Sequence, residues 1–153
     1  MLGIAQERPE TEDALALLRQ ADRYSAALYP VEARHPLSIA DLLAASVQFF
    51  VARIDRRAVG CAALVVRAPD RGELKRMFVD AGMRGQGVGQ ALLGEIESTA
   101  RREGIRMIQL ETGPKSTAAL HLYRRCGYAG CGPFGAYFAN PHSVFMEKHL
   151  ARI

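Results

Sequence analysis

Cysteine is scarce in this chain: Cys61, Cys126 and Cys131 are the only three in 153 residues. An odd count at irregular spacing argues against a disulfide framework and fits reduced thiols. Cys126, Cys131 and His121 do not make a zinc-site spacing, and no Ser-His-Asp pattern is evident, so neither a metal nor an enzyme nucleophile is expected. No apolar run approaches the roughly 18–20 residues of a membrane span. Residues 1–10 lack the basic start and apolar core of a secretory signal. These absences lead to the expectation of a cytoplasmic protein that does not act at a membrane. Repeats, low-complexity tracts and long linkers are also missing, so residues 1–153 read as one domain. A chain of this length buries about 68–70% of its unfolded surface and folds without staples.

Twenty Lys and Arg stand against sixteen Asp and Glu, a net charge of +4. That modest excess suits a small anionic ligand as well as a nucleic acid. Arg101, Arg102 and Arg106 form only a loose basic cluster, with no helix-turn-helix or aromatic-basic motif beside them, so nucleic acid is not expected as a partner.

Residues 2–6 read as a short strand. Pro9-Glu10-Thr11-Glu12-Asp13 opens a helix, with acids at the positive end of its dipole. Ala14, Leu15, Leu18, Ala21, Ser25 and Leu28 continue it at helical spacing until Pro30, and residues 36–43 suggest a second, short helix. Strands follow at 47–54 and 58–67, joined by the polar hairpin Asp55-Arg56-Arg57, and at 73–80 after the turn Pro69-Asp70-Arg71-Gly72. Regular alternation puts Glu73, Lys75, Met77 and Val79 on one face. A helix from Val88 ends at Gly104, a strand spans 107–111, a helix spans 117–126 ahead of Gly127, and strands at 128–131 and 143–148 close the chain. This order predicts an α+β fold with a mixed, mostly antiparallel central sheet.

Arg84-Gly85-Gln86-Gly87-Val88-Gly89 lies between a strand and a helix. Glycines permit close backbone approach, and the free amides of a helix N-terminus attract anions; a tight turn with no ligand uses the same residues. The helix continues Gly89-Gln90-Ala91, without the Lys and Ser/Thr of a P-loop. Gly85, Gly87 and Gly89 also miss the spacing of the dinucleotide fingerprint, and the preceding antiparallel strands do not make a Rossmann unit.

Arg-x-x-Gly-x-Gly does match, as Arg84, Gly87 and Gly89. The stretch from Glu73-Leu-Lys-Arg-Met-Phe-Val-Asp through Arg84-Gly-Gln-Gly-Val-Gly-Gln-Ala-Leu-Leu resembles the central motif of the GNAT superfamily of acyl-CoA-dependent N-acetyltransferases. Ser116-Thr-Ala-Ala-Leu-His-Leu-Tyr123-Arg-Arg-Cys-Gly127-Tyr128 resembles that family's second helix motif, and the tail 133–148 looks like a bacterial subgroup with mostly unassigned substrates. The two motifs cover about the last half of the chain in the family's order.

The resemblance implies an α/β/α sandwich, a single N-acetyltransferase domain, and acetyl-CoA as co-substrate. It places the pyrophosphate at Arg84, Gly85, Gln86, Gly87, Val88 and Gly89, and the pantetheine arm along the backbone of Met77, Phe78 and Val79. Ser116 stands where the family often has an Asn that touches this arm. Tyr123 matches the tyrosine near the thioester sulfur and is the expected general acid; the alternative is a packed helix tyrosine. Glu73 matches a catalytic glutamate in several members and is the candidate base, against an ion pair with Lys75; Glu111 is the competing carboxylate. Tyr29, Glu32, Arg34, His35, Phe134 and Tyr137 lie in the segments that build the family's acceptor site, and Arg34 suits a substrate carboxylate. The implied reaction moves an acetyl group directly to a primary amine of a small molecule or amino acid. A peptide amine and a non-catalytic acyl-CoA-binding module are the alternatives. A homodimer is common in the family.

Overall fold

The computed structural model describes residues 1–151. Seven strands and four α-helices run in the order β1 (Leu2–Gln6), α1 (Glu12–Leu28), α2 (Ile39–Leu42), β2 (Val47–Ile54), β3 (Arg57–Ala68), β4 (Arg71–Val79), α3 (Val88–Arg102), β5 (Met107–Thr112), α4 (Thr117–Arg125), β6 (Ala129–Cys131) and β7 (Val144–His149). The strands form one sheet, ordered β1-β2-β3-β4-β5-β7-β6. Every pairing is antiparallel except β4 with β5. The expected α+β class and mixed, mostly antiparallel sheet are therefore present.

Helices cover both faces. The Thr11 side chain accepts from the Ala14 amide at 3.3 Å and caps α1, with Glu12 and Asp13 in its first turn. Ala14, Leu17 and Leu18 then pack with Leu42 of α2 against Phe49, Val51, Cys61 and Ala63. On the opposite face Phe50, Ala52, Ala62, Leu64 and Leu74 meet Val88, Leu92, Leu93 and Ile96 of α3, with Leu120 and Tyr123 of α4. β2 and β3 are buried on both sides, which is why their centres read as unbroken apolar runs rather than alternating ones. Each fully buried large side chain here contributes about 1.5–3 kcal/mol through removal from water. Among them Cys61 is wholly buried, and that burial pushes its thiol up to about 12.

Two irregularities of β4 position the site. Cys61 of β3 faces Phe78, but Ala63 faces Lys75, so two residues of β4, Arg76 and Met77, stand against Ala62 alone. Arg76 occupies this bulge with φ 55°. Its guanidinium reaches α1, donating to Asp22 Oδ1 at 2.6 Å and to the Leu18 carbonyl at 3.4 Å. The extra residue corrects the expected alternation. Met77 and Val79 join Leu74 on the α3 side, whereas Phe78 packs on the α1 side, so Glu73 and Lys75 do not share a face with Met77 and Val79. The second irregularity is the short β4–β5 ladder, which runs from Arg71 with Met107 to Leu74 with Leu110 and stops. From Lys75 onward β4 is bonded only to β3.

The β2–β3 hairpin turns on Asp55 and Arg56, with φ of 49° and 74°. A two-residue turn of this kind demands left-handed backbone at both positions. Aspartate tolerates that region, but for arginine it costs roughly 1–2 kcal/mol, partly offset by the unfolded-state entropy of a glycine put in its place. Arg56→Gly is expected to stabilise the protein by about 0.5–1 kcal/mol, read as a melting temperature raised by about 1–4 °C in calorimetry.

Candidate active site

Where β4 and β5 part, a cleft of about 770 Å³ opens across the sheet. Its walls come from the end of α1 and the segment after it, from β4 beyond Leu74, from the glycine loop, from the end of β5, and from α4. The expected residues Met77, Phe78, Val79, Arg84, Gly85, Gly87, Val88, Gly89, Ser116 and Tyr123 all line it, and Gln86 does not.

One end of the cleft is built for an anion. Gly85 and Gly87 have φ of 79° and 82°, and Gly87 is the N-cap of α3 with no capping side chain. No acceptor among the described residues takes the backbone amides of residues 85–90. Such a run of free donors at the N-terminus of a 15-residue helix favours negative charge. A Cβ on Gly89 would come within 2.7 Å of Leu122 Cδ2, so the glycine there permits close approach of α4 rather than of a ligand. The Arg84 guanidinium lies 4.9 Å from the centroid of the Tyr24 ring, which in turn meets Phe78 edge-on. Arg125 of α4 adds a second cation to the wall. No motif spacing marked Arg125 in advance.

Tyr123 of α4 lines the cleft. The residue is 5% exposed, and its ring packs against Tyr128 with centroids 5.9 Å apart. Burial raises the pKa of its phenol above the ordinary tyrosine range, so the group holds its proton at neutral pH. Ser116 precedes α4, and its hydroxyl is bonded to Tyr29 at 2.8 Å. The Lys115 amide also donates to the Tyr29 hydroxyl at 3.0 Å, and a Cβ on Gly113 would overlap the Tyr29 ring. Tyr29 thus ties the end of α1 to the β5–α4 turn. No cysteine lines the cleft.

The other end holds a chain of polar groups. Glu73 is only 2% exposed and does not line the cleft. Its Oε1 accepts from Arg67 Nε at 2.9 Å and Nη2 at 2.8 Å, and its Oε2 accepts from the Tyr137 hydroxyl at 2.6 Å. Lys75 Nζ, 3.9 Å from Glu73, donates to the Tyr137 hydroxyl at 2.9 Å and to the His35 carbonyl at 2.7 Å. Desolvation lowers the Lys75 pKa against the pull of Glu73 and Glu111; burial, then the Glu73 hydrogen bond, raises that of Tyr137. Glu111 does line the cleft. His35 Nδ1 lies 3.3 Å from its Oε1, and Ser143 Oγ donates to its Oε2 at 2.7 Å.

Of the expected acceptor-site residues, Tyr29, Arg34 and His35 are on the wall, and Glu32, Phe134 and Tyr137 are not. Glu32 is exposed. Phe134 packs edge-on to Tyr137 and Phe145, which seats the 132–143 loop, and Tyr137 reaches the wall through its hydrogen bond with Lys75 and its edge-on contact with the His35 ring. Sequence reasoning missed Arg67 as the partner of Glu73. Counting back across the β3–β4 turn, where Val65 faces Glu73, was the available signal.

A model of the "Acetyltransferase (GNAT) family" matches residues 12–128. An IAA acetyltransferase of Azospirillum brasilense is 41% identical over 96% of this chain and 97% of its own length. The uncharacterized N-acetyltransferase YsnE of Bacillus subtilis is 33% identical over 79% of this chain and 82% of its own. Among solved structures, a Klebsiella pneumoniae protein provisionally assigned as an acyl-CoA N-acyltransferase superposes with a TM-score of 0.84, at 34% identity over 99% of each chain. The PaiA N-acetyltransferase of Thermoplasma acidophilum, crystallised with coenzyme A, shares the fold with a TM-score of 0.79 at 21% identity. With a family model spanning both the glycine loop and α4, and relatives that match nearly end to end, the chain belongs to the GNAT family of acetyltransferases.

Proposed function

We propose that this enzyme moves an acetyl group from acetyl-CoA, the co-substrate of its family, directly to the primary amine of a small molecule or amino acid. The observation that carries this reading is one cleft that joins the acceptor-free amides of residues 85–90 to the carboxylate of Glu111, past the unpaired side of β4. The residues present fit the co-substrate. The free amides, with Arg84 and Arg125, are suited to its phosphates. The backbone of Met77, Phe78 and Val79, which has no β5 partner, is suited to its amide-bearing arm. When bound, acetyl-CoA supplies the activated acyl carbon and a thiol leaving group.

An alkylamine arrives protonated, with a pKa near ~10, and must lose a proton before it can attack. Glu111 is the carboxylate on the cleft wall, and we assign it that proton. Glu111 is hydrogen-bonded too, by His35 and Ser143, but lies on the wall, whereas Glu73 is 2% exposed, does not line the cleft and is engaged by Arg67 and Tyr137. That supports a positioning role: Glu73 holds Tyr137, Tyr137 meets Lys75, and Lys75 holds His35 beside Glu111. Tyr123 supplies the proton that the departing thiolate takes up. Its raised pKa keeps it in the donor form beyond the usual phenol range, so its ionisation does not set an alkaline limb below about pH 10. The bookkeeping closes when the ammonium gives up two protons, one before attack and one from the acylated nitrogen: one makes good the proton that Tyr123 gives to sulfur, and the other passes to solvent.

Two sets of variants test the assignment. Gly87→Glu is expected to weaken acetyl-CoA binding at least tenfold by calorimetry, while circular dichroism shows a folded chain. Unchanged affinity places the anion elsewhere, and tight binding without turnover on any amine favours a binding module. Tyr123→Phe and Glu111→Gln are each expected to lower kcat by about 10²-fold or more with acetyl-CoA affinity retained, and Glu111→Gln to recover activity as pH rises. Glu73→Gln is expected to cost less in kcat and to lower the melting temperature. A pH–rate profile altered by Glu73→Gln but not by Glu111→Gln would return the base role to Glu73.

A further inference from the structure

Two cations of the cleft wall, Arg84 and Arg125, are assigned above to the phosphates; the others in and behind it, Arg34 apart, are answered by carboxylates. Arg67 is paired with Glu73, Arg76 with Asp22, and Lys75 lies 3.9 Å from Glu73 and donates to two oxygens besides. Arg34 differs. Its Nε is buried without a hydrogen-bond partner, and its guanidinium has no carboxylate within ion-pair distance among the described residues. Arg76 Nε shares the first property, but Asp22 neutralises that side chain at 2.6 Å. Arg34 is therefore a guanidinium drawn partly out of water with neither its charge nor that donor compensated, and it lines the cleft. Such an arrangement is costly unless an anion completes it.

The anion belongs at the acceptor end. Arg34 is the chain neighbour of His35, whose carbonyl is held by Lys75 and whose ring faces Glu111. It comes from the segment after α1, whereas the acceptor-free amides lie on the glycine loop before α3. This end of the cleft thus carries an unanswered cation, Arg34, and a carboxylate on its wall, Glu111.

We propose that the acceptor is an amine that itself carries a carboxylate, with Arg34 as the group that binds this carboxylate and Glu111 as the group that meets the ammonium. This rests on the acetyltransferase reading and narrows its substrate class. A guanidinium suits the role because its planar fork can take both oxygens of a carboxylate at once. The carboxylate is not consumed: the new bond is nitrogen to acyl carbon, the bond broken is carbon to sulfur, and the two protons move as described above. Amines that lack the carboxylate leave Arg34 as it stands and forgo its contribution.

The test is release of CoA thiol from acetyl-CoA in the presence of L-α-amino acids and ω-amino acids, each paired with its own carboxamide and with the corresponding decarboxylated amine. For the best acceptor, kcat/KM of the acid is expected to exceed that of its carboxamide and its amine at least tenfold. Arg34→Gln is expected to raise KM for the acid at least tenfold and to erase the preference. Arg34→Lys is expected to restore part of it, because charge returns without the fork. Calorimetry with acetyl-CoA, unchanged in both variants, shows that the fold and the other end of the cleft are intact. A carboxamide or plain amine used as well as its acid, a preference that survives Arg34→Gln, or no turnover of any carboxylate-bearing amine while acetyl-CoA still binds would overturn the proposal. Failure of the folded wild type to bind acetyl-CoA would instead overturn the reading beneath it.

Discussion

The hydrogen-bond ladder between β4 and β5 ends at Leu74 and Leu110, and the rest of the site depends on where it ends. A continuous ladder would fill the sheet and leave no interior cleft. Because this pair is the single parallel one, its strands are joined by the α3 crossover rather than by a hairpin, and they are free to part at one end while α3 closes the other. That parting leaves backbone donors and acceptors of β4 uncovered and brings the glycine loop to the same opening. The cost of the gap is limited because the flanking pairs are complete: β3 binds β4 along its length, and β7 binds β5 through Thr112.

Charge is distributed according to the same division. At the far side of the α3 face, Glu97 is 6% exposed and takes the Lys148 ammonium at 2.7 Å and the Tyr128 hydroxyl at 3.1 Å. That network ties β7 and the turn between α4 and β6 to α3, and none of its members lines the cleft. Behind the acceptor end of the cleft the polar groups are linked in series instead, from Arg67 through Glu73 and Tyr137 to Lys75, His35 and Glu111 on the wall. Each link joins a different element, so the last carboxylate is positioned by the sheet, by the 132–143 loop and by the segment after α1 together.

Much of this was legible in the chain itself. Val47 to Ile54 is long, apolar and bounded by turn residues, and the observed strand matches it end to end. The helix from Val88 was equally plain, since its apolar residues keep one period to Ala100. The glycine loop could be read because glycines and a helix start are local features. What could not be read was non-local. Nothing in Glu-Leu-Lys-Arg-Met-Phe-Val announces a bulge, because the left-handed turn at Arg76 is held by a residue on α1 rather than by its neighbours. The same holds for Glu73: a lone strand carboxylate looks available until Arg67 and Tyr137, six and sixty-four positions away, occupy both oxygens. Tyr29 looked like a ligand-facing aromatic, but its hydroxyl is engaged with Ser116 and Lys115, a partnership set by the packing of α1 against the β5–α4 turn.

The bulge at Arg76 also sets what kind of change β4 can absorb. With two residues against one, the strand carries a phase shift halfway along, and each side chain beyond it depends on that single inserted position. Swapping one apolar residue for another at Met77 or Val79 leaves the arrangement intact. Straightening the strand with all its residues kept turns Met77 and Val79 onto the face of Lys75, away from α3 and α4. In β4 the site is therefore encoded in the position of the bulge before it is encoded in composition, so this segment is more tolerant of an apolar exchange at Met77 or Val79 than of a change that straightens the backbone at Arg76.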